Sequence, residues 1–507
     1  MLKRYVVLPA YGFKSTALAA SAQLRSPGPV VGLSVPGPAG SAVAEAAPGV
    51  ALGFRVLDAV SEDGPKLVEM TPEAELAMRL AMPEFKIVPL VTYQPMRFAY
   101  RTEKDPAESV AATSASASTL RIVDPDGAGV PGAKVVAFTN FETRSGAEAL
   151  TDAAGRARLA IAGGTKLDRI YVYGPAGFWG RFARSFKLKP GATLALSRID
   201  LASAEHALRA FRGKLPLHAG AGVVVGVVDS GVARDHPLLP NVAGGANLVS
   251  DETRYDAGAV DDWGPARIGG DHGTHVAGIV GARASPKLAL SGVAPGATIR
   301  SYRVFGHAGG GATNFDIGNA IDRAVRDGCH IVNLSLGTGV EDEAVRAAIG
   351  SALDRGVVVV AAAGNGGRKP VSYPAALPFC VAVSAMGSVG SFPDDSSEAA
   401  DVAKPFGVPD KRSFIAAFSN YGPQIDLTGP GVGVVSSVPP DGVGVMSGTS
   451  MACPAIAGFA AYLLGADPTI SNASGGDRSK RLVDRLYEAA RRVGFGRDYE
   501  GFGVPRS

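Results

Sequence analysis

Three polar residues between positions 229 and 450 have the types and positions that a nucleophilic catalytic site needs. Asp229 follows the apolar run 223–228, His272 starts a run of small residues, and Ser450 opens an apolar helical pattern. Serine is a poor nucleophile until a base takes its proton, and a histidine base acts best when a carboxylate fixes its tautomer. Together the three residues predict a serine nucleophile activated by an oriented base.

Each residue also has a simpler explanation when it is taken alone. An Asp after a strand is common in turns, and a Ser before a helix is a common N-cap. His272 and His275 are three positions apart, which could indicate a metal pair, although the ligand set that zinc usually needs does not accompany them. The occurrence of all three residue types at strand–helix junctions of one region favours catalysis.

The region from about residue 200 to the end alternates apolar runs with helical patterns. Continuous apolar strands between helices are typical of a parallel sheet covered on both faces. Open sheets of this kind form their sites beyond the carboxyl ends of the strands, where Asp229 is expected. The candidate strands are 223–228, 298–304, 330–334, 357–362 and 380–383, and the candidate helices are 316–327, 341–355 and 450–465.

Three runs of this region resemble the signatures of the subtilisin-like (subtilase) family of serine proteases. They are VGVVDSG at 225–231, DHGTHVAG at 271–278 and SGTSMACP at 447–454, in the Asp, His, Ser order of subtilisin. The resemblance implies an α/β fold with a subtilisin-like doubly wound parallel sheet. It also implies a triad of Asp229, His272 and Ser450, with a structural role for His275.

Two further runs resemble the family's substrate cleft. AAAGNG at 361–366 implies that Asn365 is an oxyanion donor, with the backbone N–H of Ser450 as the second donor. NLSLG at 333–337 resembles the edge segment that pairs with an extended substrate. The residues implied in substrate binding are Ser335, Leu336, Gly337 and Gly364.

No cofactor is expected for the chemistry, and no metal site is predicted. The loop 283–291, where many subtilases bind calcium, has no Asp, Asn or Glu, although calcium needs about 6–8 oxygen ligands. Structural calcium elsewhere stays open. The insertion 387–411 is acidic and predicts a solvated loop, with a cation site or a substrate-charge filter as the alternative. Its acidic residues include Asp394, Asp395, Glu398 and Asp401.

The N-terminal 200 residues divide into smaller units. Residues 1–100 predict a small α+β domain in the order strand, strand, helix, strand, with Thr71 as the N-cap of a helix at 71–82. This order resembles the family's propeptide, which implies an intramolecular inhibitor and folding aid. We therefore expect autocleavage between about residues 93 and 119.

A linker is predicted at 101–118, and a β-sandwich module follows at 119–198. The module resembles immunoglobulin-like or carboxypeptidase-regulatory-like domains. It either stays with the mature enzyme or leaves with the prodomain. The peptidase domain is expected at 199–507.

Composition excludes several classes of function. Fifty Lys and Arg against 47 Asp and Glu give a net charge of +3, which is too weak to predict nucleic-acid or anionic-membrane binding. The apolar stretch 451–466 is short of the roughly 20 residues of a membrane span. Three cysteines predict buried apolar residues, with no disulfide framework.

The sequence as a whole predicts a serine endopeptidase made as a self-processing zymogen. Its partners would be a polypeptide substrate and its own prodomain. One alternative is a maturation protease dedicated to one partner. Another is a non-catalytic binding or adhesin protein whose functional part is the β module. The family resemblance favours a secreted, extracellular or periplasmic location, while the absence of an evident signal peptide leaves a cytoplasmic one open.

Overall fold

The computed structural model describes residues 1–21, 24, 31–33, 52–103, 117–203 and 206–506. Most of the predicted linker, residues 104–116, lies outside the described residues. The described chain forms a small antiparallel sheet, a two-sheet module and a large mixed sheet, in that order.

The N-terminal unit is an antiparallel sheet in the order β2-β3-β4-β1-β5. Its strands and helices are β1 (Lys3–Pro9), α1 (Thr16–Ala20), β2 (Val31–Leu33), β3 (Leu52–Ala59), β4 (Lys66–Met70), α2 (Pro72–Ala81) and β5 (Phe85–Pro89). Strand β6 (Thr92–Pro95) follows and belongs to a different sheet. Thr71 caps α2 as predicted. The predicted order omits α1, β2, β4 and β6. Strand β4 is missed because Lys66 and Glu69 leave it only a short apolar run, although four of its five residues are buried.

Opposite faces of β1 have different partners, because successive side chains of a strand alternate. Tyr5 and Val7 pack in a cluster that includes Met78 of α2. Val6 and Leu8 belong to the same apolar cluster as the helices of the large sheet. The N-terminal sheet is therefore packed against the rest of the protein.

Residues 118–195 form two sheets around a shared apolar core. The strands are β7 (Ser118–Val123), β8 (Lys134–Asn140), β9 (Ser145–Leu150), β10 (Arg156–Leu159), β11 (Lys166–Tyr173), β12 (Arg181–Lys187) and β13 (Thr193–Ala195). The sheet orders are β10-β7-β13 and β12-β11-β8-β9. We call this unit the sandwich module.

The large sheet has the strand order β15-β16-β14-β18-β20-β21-β22, with β23 paired to β21. Its strands are parallel except at β22, so the predicted α/β fold is confirmed. The strands of this region are β14 (Val224–Asp229), β15 (Val242–Asn247), β16 (Thr298–Arg303), β17 (Ala312–Thr313), β18 (Ile331–Leu334), β19 (Leu336–Gly337), β20 (Val358–Ala362), β21 (Val381–Ser388), β22 (Ser413–Ile415), β23 (Leu427–Pro430), β24 (Val434–Val438), β25 (Gly442–Met446), β26 (Ala490–Arg491) and β27 (Val504–Pro505).

Helices cover both faces of the large sheet. Val358 and Val360 of β20 pack in one apolar cluster, while Val359 and Ala361 pack in the cluster on the other face. The helices are α3 (Ala207–Arg212), α4 (Ser250–Thr253), α5 (Asp271–Gly281), α6 (Asn314–Arg326), α7 (Glu343–Asp354), α8 (Thr449–Ala466), α9 (Pro468–Ser471), α10 (Gly475–Ala489) and α11 (Arg497–Glu500), with 3-10 helices at Ala257–Asp261 and Ser397–Asp401.

Helix α8 is long and apolar enough to cross a membrane by length and composition, but 83% of its apolar window is buried inside the protein. It packs on the large sheet as a core helix. Cys329, Cys380 and Cys453 are free and buried, as predicted. The cores of the protein therefore account for these apolar features.

The acidic insertion differs from the sequence prediction. A solvated loop is wrong for Glu398 and Asp401, which are 5% and 4% exposed in a 3-10 helix that packs against β12 of the sandwich module. Burial raises the pKa of both carboxyls, and Glu398 further raises the pKa of Asp401. Among the described residues, no group of three or more His, Cys, Asp or Glu side chains could hold a metal ion. The insertion therefore acts as a packing surface for the module.

We expect Asp401→Asn to raise the thermal unfolding midpoint at pH 8, and to raise it much less at pH 5. The unfolded chain ionises near the ordinary Asp pKa, whereas the folded state keeps a raised pKa. Increasing pH through the interval between the two values therefore destabilises the folded protein, and Asn removes that effect. Calorimetry at both pH values measures it, with the exposed Asp394→Asn as the control. An equal shift at both pH values would contradict the assignment.

Candidate active site

Asp229 and His272 are hydrogen-bonded at the carboxyl edge of the large sheet. Asp229 ends β14, and His272 is the second residue of α5. The Nδ1 atom of His272 lies 2.7 Å from Oδ1 of Asp229, and both side chains are buried. The backbone N–H of Ser230 donates to the same carboxylate oxygen at 2.7 Å. The carboxylate therefore holds the imidazole by Nδ1, and Nε2 is available to exchange a proton with another group.

The contact between α5 and the turn after β14 requires a glycine. A Cβ atom on Gly273 would lie 2.4 Å from the carbonyl oxygen of Gly231, which is closer than any ordinary contact. The N–H of Gly273 also donates to Ser230 Oγ at 3.0 Å. The small residues of the 271–278 run therefore allow α5 to approach Asp229.

His275 lies on α5 but faces other partners. Its Nε2 atom is 3.0 Å from the carbonyl oxygen of Val434. Burial lowers the pKa of His275 to about 3, so the ring is neutral and donates to this carbonyl. The geometry agrees with a structural role and does not support a metal pair with His272.

Ser450 is the second residue of α8, which packs against α5. Its hydroxyl donates to the carbonyl oxygen of Ser335 at 2.9 Å. Within the described part of the chain, Nε2 of His272 has no hydrogen-bond partner. The structure thus forms the Asp229–His272 bond of the predicted triad but directs the serine hydroxyl elsewhere. Catalytic hydrogen bonds often form fully only in reacting complexes.

Asn365 follows β20 and is oriented by the start of α8. Its Oδ1 atom accepts from the backbone N–H and the hydroxyl of Thr449, both at 2.9 Å. These two bonds fix the amide so that Nδ2 points into the cleft. The Thr449 hydroxyl in turn accepts from the N–H of Gly364 at 3.1 Å.

The cleft is filled by residues 92–98 of the protein's own chain. Strand β6 lies between β17 and β19, and it is antiparallel to both. Leu336 and Gly337, predicted to bind substrate, pair with Pro95 and Gln94. Tyr93 is fully buried among apolar residues of the large sheet. The segment therefore lies in the cleft as an extended peptide.

The carbonyl oxygen of Met96 lies between the two predicted oxyanion donors. It accepts from Nδ2 of Asn365 and from the backbone N–H of Ser450 at 3.1 Å. The N–H of Met96 donates to the carbonyl oxygen of Ser335 at 3.0 Å. A Cβ atom on Gly448 would lie 2.3 Å from the Met96 oxygen, so only glycine leaves room for the carbonyl.

Sequence reasoning missed several residues of this site. Thr449 orients Asn365, Ser447 pairs with Phe98, and Ala312 pairs with Tyr93. Thr449 and Ser447 lie within the run that identified Ser450, so their neighbourhood was the available signal. Ala312 carries no local signal, because its role depends on a distant strand.

Comparison with known proteins agrees with this geometry. Residues 220–503 match the model of the subtilase family. Subtilisin NAT of Bacillus subtilis subsp. natto is 35% identical over 273 residues, which are 53% of this chain and 62% of that protein. Subtilisin of Bacillus pumilus is 34% identical over 273 residues, or 53% of this chain and 86% of that protein. Subtilisin BL of Lederbergia lenta is 36% identical over 253 residues, which are 50% of this chain and 80% of that protein.

The chain thus spans less than two thirds of Subtilisin NAT but most of the two shorter relatives. The matched region begins just before β14 and includes α5, β20 and α8, which carry the polar residues described above. Since the family match covers more than half of the 507 residues, the chain belongs to the subtilase family.

Proposed function

We propose that the protein is a serine endopeptidase, made as a zymogen that cuts its own chain between Met96 and Arg97. The observation that carries the proposal is the Met96 carbonyl oxygen, held by the Asn365 amide and the Ser450 N–H. Two N–H donors on one carbonyl are the arrangement expected of an oxyanion hole. The cut lies inside the interval 93–119 expected from the sequence.

In the proposed reaction, the Ser450 hydroxyl leaves the Ser335 carbonyl and attacks the carbonyl carbon of Met96. His272 Nε2, which has no partner within the described residues, takes the hydroxyl proton, and Asp229 stabilises the imidazolium. Asn365 and the Ser450 N–H hold the oxyanion. The imidazolium then gives the proton to the nitrogen of Arg97 as the peptide bond breaks, and water hydrolyses the resulting ester.

Residues 1–96 would act as the inhibitor before and after the cut. Strand β6 occupies the cleft, and ion pairs hold the N-terminal sheet against the large-sheet region. Lys14 pairs with the buried Asp322 at 2.9 Å, and Lys86 pairs with Glu343 at 3.1 Å. These contacts do not depend on the peptide bond after Met96, so the cut fragment is expected to stay bound until it is displaced or degraded.

The sandwich module would stay with the mature enzyme. It follows the cut in the chain, and it is docked by backbone bonds: the N–H of Gly177 donates to Val443 O at 2.8 Å, and the N–H of Phe182 donates to Asp395 O at 2.8 Å. Trp179 is buried in the core of the large-sheet region. Loss of the module with the prodomain would expose this surface.

The substrate would be a polypeptide, and the proposed reaction needs no cofactor. The family resemblance supports a secreted, extracellular or periplasmic location. Cleavage of a peptide library distinguishes a general peptidase from one dedicated to a single partner, since broad hydrolysis argues against dedication. A purely adhesive role has no specific observation in its favour.

Labelling and sequencing test the proposal together. We expect a fluorophosphonate to modify Ser450 of the self-processed enzyme once residues 1–96 have been displaced or degraded, and we expect the N-terminus of that enzyme to be Arg97. The uncut chain, whose cleft is filled, should label far more slowly. An unmodified Ser450 in processed protein that is free of residues 1–96, or processing at a position outside the cleft, would contradict the proposal.

We expect Gly337→Ala to reduce cleavage after Met relative to cleavage after Ala by about tenfold, since one added methylene in a pocket is worth about 10–200-fold. A Cβ atom at this position would lie 2.5 Å from Cε of Met96. Paired kcat/KM measurements on Met and Ala peptides give the ratio. Gly339→Ala, at a position with open space around it, is the control, and equal losses on both peptides would be evidence against this pocket.

A further inference from the structure

From Arg97 onward, the chain leads away from the proposed catalytic centre and makes a second set of specific contacts. The guanidinium of Arg97 lies 2.8 Å from Oδ2 of Asp271, the residue before His272. Burial alone would raise the pKa of Asp271, but Arg97 and His272 lower it below its ordinary value. An ionised carboxylate therefore faces the first residue after the proposed cut.

The second residue after the cut is held by backbone and ring contacts. The N–H of Phe98 donates to Ser447 O at 2.8 Å, in an antiparallel bridge. Its ring stacks on Phe418, with centroids 4.6 Å apart and planes 24° from parallel. Since the backbone contact is available to any extended peptide, the ring contact supplies the selectivity.

The fourth residue, Tyr100, reaches the sandwich module. Its ring lies 4.5 Å from that of Tyr171 and 5.3 Å from that of Phe141, centroid to centroid. Its N–H donates to the hydroxyl of Tyr173 at 2.7 Å. Phe141, Tyr171 and Tyr173 belong to the face of sheet β12-β11-β8-β9 that is turned away from the module's own core. We call them the aromatic face.

Two further backbone groups of the segment contact the module. The N–H of Thr102 donates to Glu148 Oε1 at 2.7 Å, and the N–H of Glu103 donates to Arg144 O at 3.1 Å. Backbone groups of the segment are thus satisfied by the module. An extended peptide held in this way is read by strand-like recognition, in which side-chain pockets give specificity.

We propose that the sandwich module forms the far part of the substrate cleft, on the side after the scissile bond. The enzyme would select polypeptides with a basic residue at the first position after the cut and aromatic residues at the second and fourth. Asp271, Phe418 and the aromatic face are the selecting groups. This inference rests on the proposed function, because it assumes that residues 97–103 occupy the positions that a bound substrate would take.

The same contacts predict that residues 97–103 compete with substrate for this part of the cleft. After processing and loss of residues 1–96, residues 97–103 remain attached to the enzyme and occupy the positions that a substrate needs. A substrate with the same residue types at these positions can displace them. It makes equivalent contacts and also fills the part of the cleft vacated by residues 92–96. A short substrate without residues after the cut meets no such competition.

The test uses the self-processed enzyme after residues 1–96 have been displaced or degraded, and quenched peptides with the sequence of residues 93–102, YQPMRFAYRT. Single changes of the first Arg to Glu, of Phe to Ala and of the second Tyr to Ala probe the three positions. We expect each change to lower kcat/KM by about tenfold or more, because each removes a half-buried ring from an aromatic contact or places a second negative charge beside Asp271. A Tyr-Gln-Pro-Met anilide, which has no residues after the cut, reports whether the enzyme is active.

Enzyme variants assign the effect to the module. Phe141→Ala is expected to reduce the preference for Tyr over Ala at the fourth position at least threefold, whereas Phe186→Ala, on the core side of the same sheet, should retain it. Hydrolysis of the anilide with no preference at any of the three positions would overturn this inference and leave the peptidase proposal standing. Loss of hydrolysis of every substrate would instead count against the peptidase itself.

Discussion

Replacing Ser450 with alanine is expected to leave the chain uncut between Met96 and Arg97. It should also lower kcat for peptide hydrolysis by about 10⁶-fold, which is the magnitude known for the nucleophile of subtilisin. Without the hydroxyl no ester forms, and the remaining donors can only polarise the Met96 carbonyl. Intact mass and N-terminal sequencing of purified protein measure processing, and a peptide anilide measures kcat.

A matched control separates chemistry from folding. Ser437 is also buried, and its hydroxyl donates to Thr274 O of α5 at 2.9 Å. Ser437→Ala therefore removes a serine hydroxyl next to the catalytic helix without touching the proposed nucleophile, and it should still be processed. The cut should also proceed at the same rate on dilution, because the scissile bond already lies in its own cleft. An Arg97 N-terminus in Ser450→Ala protein would show that another protease makes the cut.

The residues of the proposed catalytic centre could be predicted from the sequence because each belongs to a short local run. Asp229 ends one buried strand and Asn365 follows another, and these strands, β14 and β20, are parallel members of one sheet. The carboxyl ends of parallel strands meet at one edge, so strand assignment alone predicts that these residues are neighbours. His272 and Ser450 open helices that start at the same edge.

The proposed cut site could not be predicted from a local run of residues in the same way. Nothing in Tyr93–Met96 differs in composition from other short β-rich segments, and the sequence predicts only the interval 93–119. Which residue reaches the oxyanion donors depends on the register of β6 between β17 and β19. A slip of one residue would turn Tyr93 out of its pocket and bring a different carbonyl to Asn365.

For Glu398 and Asp401, the local sequence pattern gave a wrong prediction, because both side chains are buried and not solvated. A run of acidic residues rich in Gly and Ser normally stays in water, because burying a carboxylate is costly. Here the sandwich module covers the insertion, and the carboxyls respond by a raised pKa. Only the docking of two distant segments determines this, so composition could not reveal it.

Replacing Asn365 with alanine is expected to lower kcat by about 10²–10³-fold while KM changes little. That magnitude is the one known for the equivalent donor in subtilisin. The Asn365 amide donates to the Met96 oxygen, and this bond strengthens as the carbonyl becomes an oxyanion. An interaction realised mainly in the transition state lowers kcat when it is lost.

Asn365→Ala also leaves the N–H and hydroxyl of Thr449 without their acceptor, so variants of Thr449 are the necessary controls. Thr449→Ser keeps the hydroxyl that orients the Asn365 amide and should retain most activity. Thr449→Val removes that hydroxyl but not the amide, and kcat should fall by less than in Asn365→Ala. Steady-state kinetics on the anilide give kcat and KM separately. A rise in KM at constant kcat for Asn365→Ala would place this residue in ground-state binding, because the lost bond would then be equally strong before and during the reaction.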